Sequence, residues 1–192
     1  MNAIIDDLVR QKWSVQEKYF PPDLIAELAR DLELNREVMK QAGIGRGENF
    51  KVQPDIRNDV TLWLDGQSGA QNEYLRLLDA IRVDLNRELF LGLRSFEAHY
   101  AMYDAGGFYK KHVDALKGQR NRVVSTVTYL TPGWRDEDAG HLVLYDEEEN
   151  ELTRILPAAG TLAIFMSEEI PHEVLPPARA RCSIAGWFRC NS

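Results

Sequence analysis

Two histidines and one aspartate in this sequence have the spacing of metal ligands. His112 and Asp114 stand two residues apart, so on extended backbone both side chains project from the same face. His172 follows a proline and opens an apolar segment that has the pattern of a strand. Two imidazoles and one carboxylate form the facial ligand set of non-haem iron(II) oxygenases, which leaves coordination positions open for co-substrates. The His-X-Asp spacing alone is weak evidence, and the rest of the pattern decides its meaning.

An arginine nine residues after His172 adds a group that can bind an anion. Arg181 begins an otherwise apolar strand, and alternation places Ser183, Ala185 and Trp187 on its face. A buried guanidinium is costly without a partner, and its planar shape suits a carboxylate held by two parallel hydrogen bonds. Taken alone, Arg181 is more simply explained by an internal salt bridge. Beside the three metal ligands, a dicarboxylate co-substrate becomes the better explanation.

The elements that must position these residues lie in the second half of the chain. From residue 96 onward the apolar residues follow the period of short strands, separated by clusters of Gly, Pro, Asp and Asn. Many short strands with such turns favour a barrel or a double-sheet jelly roll. The predicted strands are 96–103, 122–130, 141–145, 152–156, 161–166, 172–175 and 181–188.

The first half of the chain has the pattern of helices. One helix is predicted to begin after Pro21-Pro22 and to end at Gly43, and a second covers about residues 72–89. The apolar stripe predicted for the first helix comprises Leu24, Ile25, Leu28, Leu32 and Leu34. Residues 44–66 form a long polar connection, which in a compact domain is usually either disordered or functional. We expect one α+β domain over 1–192, with helical support over about 1–95 and a β core over about 96–190.

Composition and charge narrow the classes of function. At 192 residues the chain suits one domain, and a formal charge of −7 does not favour nucleic acid as a partner. The first residues are acidic where a secretory signal would be basic, and no stretch is long and apolar enough to span a bilayer. The two cysteines are too few to staple a chain of this size. We therefore expect a cytoplasmic protein with no nucleic-acid or membrane partner.

The combined pattern of ligands, arginine and flanking segments resembles a known family. It is similar to the 2-oxoglutarate- and iron(II)-dependent dioxygenases, within them to the prolyl 4-hydroxylase branch that includes the hypoxia-inducible-factor prolyl hydroxylases and their bacterial relatives. The resemblance extends from about Ala42 to Phe188. The segments that carry it are 56–66, 103–114, 124–134, 139–144, 171–176 and Arg181.

The resemblance implies a double-stranded β-helix (a jelly roll of the cupin type) with N-terminal supporting helices. Its metal ligands would be His112, Asp114 and His172. The residues that it implies for 2-oxoglutarate are Arg181, Tyr129 and Tyr103. The residues that it implies near the substrate are Arg122, Arg57, Asp59 and Trp187.

Two features of this sequence qualify those assignments. Arg57 and Asp59 have a simpler interpretation as an exposed ion pair, which would contribute only about 0–1 kcal/mol. Ala185 and His99 depart from the family, because some relatives carry a threonine at the first position and animal relatives carry an apolar residue at the second. No role that orders water is therefore transferred to Ala185.

The activity implied is hydroxylation of a prolyl residue in a protein loop, with Fe(II), 2-oxoglutarate and O2 as cofactor and co-substrates and with succinate and CO2 released. Ascorbate is expected as a reductant, and a component of the translation machinery is a first candidate for the substrate. Three alternatives stay open: the same chemistry on another side chain or a small molecule, a non-catalytic sensor of metal and 2-oxoglutarate, and a cupin-like metalloprotein or zinc hydrolase.

Overall fold

Three helices and eleven strands make up the described part of the chain, which in the computed structural model is residues 1–43, 51–115 and 121–190. The helices are α1 (Asn2–Gln11), α2 (Pro22–Leu34) and α3 (Gly69–Leu89). The strands are β1 (Trp13–Gln16), β2 (Lys40–Gln41), β3 (Val60–Trp63), β4 (Ser95–Tyr103), β5 (Tyr109–His112), β6 (Arg122–Tyr129), β7 (Leu142–Tyr145), β8 (Glu151–Ile155), β9 (Leu162–Met166), β10 (His172–Val174) and β11 (Arg181–Arg189).

Two antiparallel sheets form the core of the molecule. The larger sheet has the order β1-β9-β6-β11-β4-β3-β2, and the smaller has the order β5-β10-β7-β8. Side chains from both sheets, such as Tyr129 and Phe165 from the larger and Leu144 and Val174 from the smaller, pack in one buried cluster. This arrangement is the predicted double-stranded β-helix, with a mainly β core.

The helices cover the outer face of the larger sheet. Apolar side chains of α2 and α3, including Leu28 and Leu78, share a buried cluster with Ile184 and Phe188 of β11. Period-two alternation leaves the other face of β11 directed between the sheets. The strand that carries Arg181 therefore joins the helical support to the interior, as its sequence pattern predicts.

The end of α2 differs from the prediction. The helix ends at Leu34, not at Gly43, and a short 3₁₀ turn at Arg36–Val38 follows it. The Asn35 backbone N–H and side-chain amide both donate to the Asp31 carbonyl oxygen, at 3.2 and 2.8 Å, and so cap the helix end. Leu34 is 75% exposed, so it does not belong to the buried stripe that we assigned to it.

Four short strands are absent from the strands predicted by periodicity: β1, β2, β3 and β5. Three of them lie within the first 95 residues and extend the larger sheet, so that region is not only helical support. Of the polar connection predicted over 44–66, residues 44–50 lie outside the described residues, and the remainder contains β3. The division into support over about 1–95 and core over about 96–190, in a single domain, stays a prediction.

None of the helices in the described ranges combines the length and the apolar character needed to cross a bilayer.

Candidate active site

Three side chains with metal-binding donor atoms meet between the two sheets. His112 ends β5 and His172 begins β10, and the two residues are partners in the antiparallel register of these strands. Asp114 follows β5, with its carboxylate oxygens 3.7 Å from His112 Nε2 and 3.6 Å from His172 Nε2. One donor atom from each of the three residues lies within 4.8 Å of the others. The structure therefore brings together the ligand set that the sequence predicts.

Hydrogen bonds orient all three donor groups. The Nδ1 atoms of His112 and His172 lie 2.7 and 3.1 Å from the carbonyl oxygens of Lys110 and Ile170. A carbonyl oxygen only accepts, so each Nδ1 carries a hydrogen, and each Nε2 faces the aspartate as the atom that could bind a metal. The Ser125 hydroxyl donates to Asp114 Oδ2 at 2.6 Å. Such outer contacts fix the orientation of metal ligands.

The electrostatics of the three residues suit a divalent cation. Burial alone would raise the pKa of Asp114, but His172, His112 and the Ser125 hydroxyl together hold it well below its usual range. Burial, with a further contribution from His112, lowers the pKa of His172 to about 4. At neutral pH the set is therefore a carboxylate beside a neutral imidazole, which are the protonation states that metal binding requires.

The same pocket contains a buried arginine that forms no ion pair with any residue in the part of the chain that the structure describes. Arg181 is 1% exposed, and its Nε and Nη2 atoms have no hydrogen-bond partner among the described residues. Its Nη1 lies 3.4 Å from Ser183 Oγ, and the Tyr129 hydroxyl also has no partner among those residues. The Tyr129 and Tyr103 ring centroids lie 5.0 and 5.2 Å from the Arg181 Cζ atom. A buried cation left in this state is costly, so the pocket is built for an anionic group that accepts hydrogen bonds.

Most of the residues predicted for the site lie around one pocket. It is lined by the three metal-ligand candidates and by Arg181, Tyr103, Arg57, Arg122 and Trp187. Tyr129 lies beside Arg181 within the core, and Asp59 lies behind Arg57. Residues of the pocket that the sequence did not single out include Tyr109 and Val127, and Ser125, which does not line the pocket, supports Asp114.

The interpretation of Arg57 and Asp59 as an exposed ion pair is wrong. The two side chains are 11% and 0% exposed, and the guanidinium binds both carboxylate oxygens at 2.8 and 2.6 Å. The small contribution of an exposed pair therefore does not apply. Removing one partner of a buried pair costs about 3–5 kcal/mol, because the remaining charge is left uncompensated.

Aromatic side chains and one arginine form the outer part of the pocket. Arg122 lies over Trp187, with its Cζ atom 3.5 Å from the ring centroid, and its Nε donates to Glu97 Oε1 at 2.9 Å. His99 packs against both Trp187 and Trp63 at centroid distances of 5.3 and 5.2 Å, and Trp63 is 52% exposed. This part of the pocket offers flat apolar surfaces beside a cation.

His99 adds a neutral polar group to this wall. It is 5% exposed, and its Nδ1 lies 3.1 Å from the Tyr100 carbonyl oxygen. Burial, followed by the neighbouring Arg57 cation, lowers the pKa of His99 to about 4. His99 therefore places an uncharged imidazole beside Trp187.

We expect Ser125→Ala to weaken metal binding by about 10- to 100-fold, because the variant lacks the hydroxyl that orients the Asp114 carboxylate. The dissociation constant of Co(II) or anaerobic Fe(II) is the measurement. Ser14→Ala is a matched control, since Ser14 is also buried in the larger sheet and donates to Asp7 at 2.7 Å. Equal metal affinity in the two variants would contradict the assigned role of Ser125.

The chain belongs to the 2-oxoglutarate–Fe(II) oxygenase superfamily. The model of this superfamily matches residues 98–189, which include all three metal-ligand candidates and Arg181. A hypoxia-inducible factor prolyl hydroxylase from Caenorhabditis elegans is 32% identical, over 98% of this chain and 28% of that protein. The chain spans less than a third of the length of the curated relatives it matches.

Solved structures support the same fold. A prolyl-4-hydroxylase from Pseudomonas putida has 39% sequence identity and a TM-score of 0.90, with 98% of each chain covered. A prolyl hydroxylase from Trichoplax adhaerens, solved in complex with a hypoxia inducible factor peptide fragment, has 24% identity and a TM-score of 0.84, with 98% of this chain and 88% of that chain covered. At this lower identity the second likeness concerns the fold alone.

The site fits the cofactor and co-substrate of the superfamily, which are Fe(II) and 2-oxoglutarate, with O2 as the oxidant. The two histidines and the aspartate suit Fe(II) in donor type and protonation. The unpartnered guanidinium nitrogens of Arg181 suit a carboxylate of 2-oxoglutarate.

Proposed function

We propose that this chain hydroxylates a prolyl residue in a protein substrate, using Fe(II), 2-oxoglutarate and O2 and releasing succinate and CO2. The observation that carries the proposal is one pocket that combines a 2-His-1-carboxylate set with a buried arginine, two of whose guanidinium nitrogens have no partner among the described residues. The likeness to prolyl hydroxylases over nearly the whole chain supports proline as the target residue.

The inner part of the pocket would bind the cofactor and the co-substrate. His112, Asp114 and His172 would hold Fe(II), while Arg181 and Tyr129 would hold the distal carboxylate of 2-oxoglutarate and Tyr103 would lie beside it. When bound, the metal and 2-oxoglutarate supply the oxidising chemistry that converts a C–H bond into C–OH. The chain's own residues fix the positions of both groups and exclude water from the space around them.

The outer part of the pocket would bind the substrate. Trp187 offers a flat surface for a pyrrolidine ring, and Arg122, fixed by Glu97, adds a cation beside it. Arg57 and Asp59 would shape the opposite wall, where their buried pair fixes the segment that carries them. Trp187, Arg122 and Arg57 would give the entrance both apolar and polar contacts for a loop that presents a proline, while the buried Asp59 would hold Arg57 in place.

We also propose a substrate protein, a cellular location and a reductant. A loop in a component of the translation machinery is our first candidate substrate, and this choice carries a cytoplasmic location with it. Ascorbate would serve as the reductant that keeps the iron in its ferrous state. Turnover measured with and without ascorbate tests the role of this reductant. If the enzyme requires ascorbate, activity should be lost early in the reaction when ascorbate is omitted.

A peptide assay tests the proposed function. Proline-containing peptides from candidate substrates are incubated with the Fe(II) protein, 2-oxoglutarate and O2, and each is paired with a control in which alanine replaces the proline. We expect a mass increase of one oxygen on the proline peptide only, with succinate formed in equal amount. Succinate without proline-dependent oxidation would point to another substrate. Absence of succinate under every condition would favour a non-catalytic sensor.

A further inference from the structure

We infer that Tyr109 is a positioning residue for the metal ligand His112, and that it couples the metal site to Arg57. The inference rests on the proposed function in one respect, because it takes the cluster of His112, Asp114 and His172 as the metal site. Tyr109 was not among the predicted site residues. Arg57 would affect metal binding through Tyr109, without contacting the metal itself.

The first observation is a stack of three flat groups. The rings of Tyr109 and His112 lie 3.6 Å apart between centroids and are inclined by 16°. The Arg57 Cζ atom lies 4.2 Å from the centroid of the same tyrosine ring. Two groups at these distances cannot share one face of the ring, so they cover opposite faces. The order is therefore Arg57, Tyr109, His112, which we call the Arg57–Tyr109–His112 stack.

The second observation is that the backbone fixes the outer member of this stack. Residues 56–58 run antiparallel to the start of β5, with Lys110 N donating to Ile56 O at 2.9 Å and Arg57 paired with Tyr109. The Phe108 amide also donates to the Asn58 side-chain oxygen at 2.7 Å. The segment that carries Arg57 is thus hydrogen-bonded to the strand that ends in His112.

The third observation is that the guanidinium of Arg57 has little freedom. Asp59 is fully buried and binds it through two hydrogen bonds, which fixes the plane of the guanidinium over Tyr109. Burial and the hydrogen bond to Asp59 act on Arg57 in opposite senses, and the net effect is to raise its pKa. It therefore stays a cation, which interacts favourably with the face of an aromatic ring.

The two histidines of the metal site differ in exposure and in the aromatic ring that covers them. The His172 side chain is 6% exposed and packs against Phe165 at a centroid distance of 4.7 Å. The His112 side chain is 17% exposed, and Tyr109 covers one face of its ring. Without that cover, His112 would gain rotational freedom that metal binding must remove. Tyr109 therefore lowers the cost of placing His112 Nε2 toward the metal.

A coupling of this kind acts in both directions. If the position of Arg57 affects the affinity for metal, bound metal must also favour the stacked position of Arg57. The metal-loaded protein would then hold the segment around Arg57 more firmly at the entrance to the pocket. The order of the pocket entrance, where the substrate binds, would therefore depend on whether the metal is bound.

Metal titration of stack variants tests the inference without 2-oxoglutarate or peptide. We expect Tyr109→Leu to weaken Co(II) binding by about 10-fold, in the range seen when groups that orient metal ligands are removed. Tyr109→Phe keeps the ring and should bind Co(II) as the wild type does. The paired variant Arg57→Gln/Asp59→Asn keeps a polar pair but removes the cation, and it should weaken binding by about 3-fold, less than loss of the ring itself.

The control is a second tyrosine under a cation in the same sheet. Lys111 lies over Tyr145 with its Nζ atom 3.8 Å from the ring centroid, and Tyr145 does not line the pocket. Tyr145→Leu should leave Co(II) affinity unchanged, and thermal unfolding of each metal-free variant checks that it is folded.

Wild-type affinity in folded Tyr109→Leu, or equal losses in the two tyrosine variants, would overturn the inference while leaving the proposed function intact. If Tyr109→Leu does not fold, Arg57→Gln/Asp59→Asn decides, and unchanged affinity in that variant rejects the coupling. A wild-type protein that binds neither Co(II) nor Fe(II) would overturn the proposed function itself.

Discussion

Arg181→Met should raise the 2-oxoglutarate concentration for half-saturation by about 100-fold or more, because two charge-assisted hydrogen bonds are worth about 3 kcal/mol or more together. The same substitution should leave the metal-free protein as stable as the wild type or more stable. The guanidinium is buried with two nitrogens unpartnered among the described residues, so the ligand-free protein bears an uncompensated cost. Replacing such a charge by an apolar side chain of similar length relieves about 1–4 kcal/mol.

Two measurements separate these effects. Anaerobic titration of the Fe(II) protein with 2-oxoglutarate, followed by the visible absorption of the chelate, reports binding of the co-substrate. Denaturant unfolding of the metal-free protein reports stability. Arg179→Met is the matched control, since the Arg179 side chain is 39% exposed and binds Asp138 and Trp134 away from the pocket. An Arg181→Met protein that binds 2-oxoglutarate normally would exclude Arg181 as the anchor, and a strongly destabilised variant would mean that the arginine serves the fold.

The sequence predicted best those site residues whose side-chain direction depends only on their spacing along one strand. His112 and Asp114 lie on one side because they are two residues apart, and Arg181 faces the interior because its strand alternates. The partnership of His112 with His172 required long-range pairing of β5 with β10, which the spacing does not encode. The residue types suggest that partnership and the resemblance to a family supports it, while the structure supplies its physical basis in the register of two short strands.

The features that escaped prediction all depend on contacts between distant segments. Ser125 reaches Asp114 because the segment after β5 is hydrogen-bonded to the segment after β9, through Ala115 N and Ser167 O, and β9 runs beside β6. The sequence neighbours of Ser125 give no sign of this contact. Arg57 and Asp59 have the local pattern of a surface pair, but residues 56–58 pair with β5 and bury them. Tyr109 also escaped prediction, because its place in the stack depends on β5 and on residues 56–58, which pair with that strand. Such contacts arise only when the sheets close around the site.

Asp114→Asn should abolish turnover, with a loss of about 1,000-fold or more, because the variant lacks the only anionic ligand in the set and the metal is required for all of the proposed chemistry. In the wild type the carboxylate lies between the Nε2 atoms of His112 and His172, at 3.7 and 3.6 Å. The asparagine retains the shape and can still bond to Ser125, so the metal-free variant should fold. Asp114→Asn should therefore lose metal-dependent turnover while keeping its fold.

The decisive comparison is the shift of the unfolding temperature on addition of metal. Metal at 100 times its dissociation constant stabilises a protein by about 2.7 kcal/mol, which raises the wild-type unfolding temperature by several degrees. Asp114→Asn should show little or no shift at the same concentration. Asp136→Asn is the control, because Asp136 also pairs with a histidine, His141 at 3.0 Å, but is 94% exposed and outside the cluster. A full metal shift in Asp114→Asn would mean that the buried carboxylate serves only to orient the two imidazoles. Because that carboxylate stays ionised in the metal-free protein, with neutral His172 beside it, the site is ready for a cation before the cation arrives.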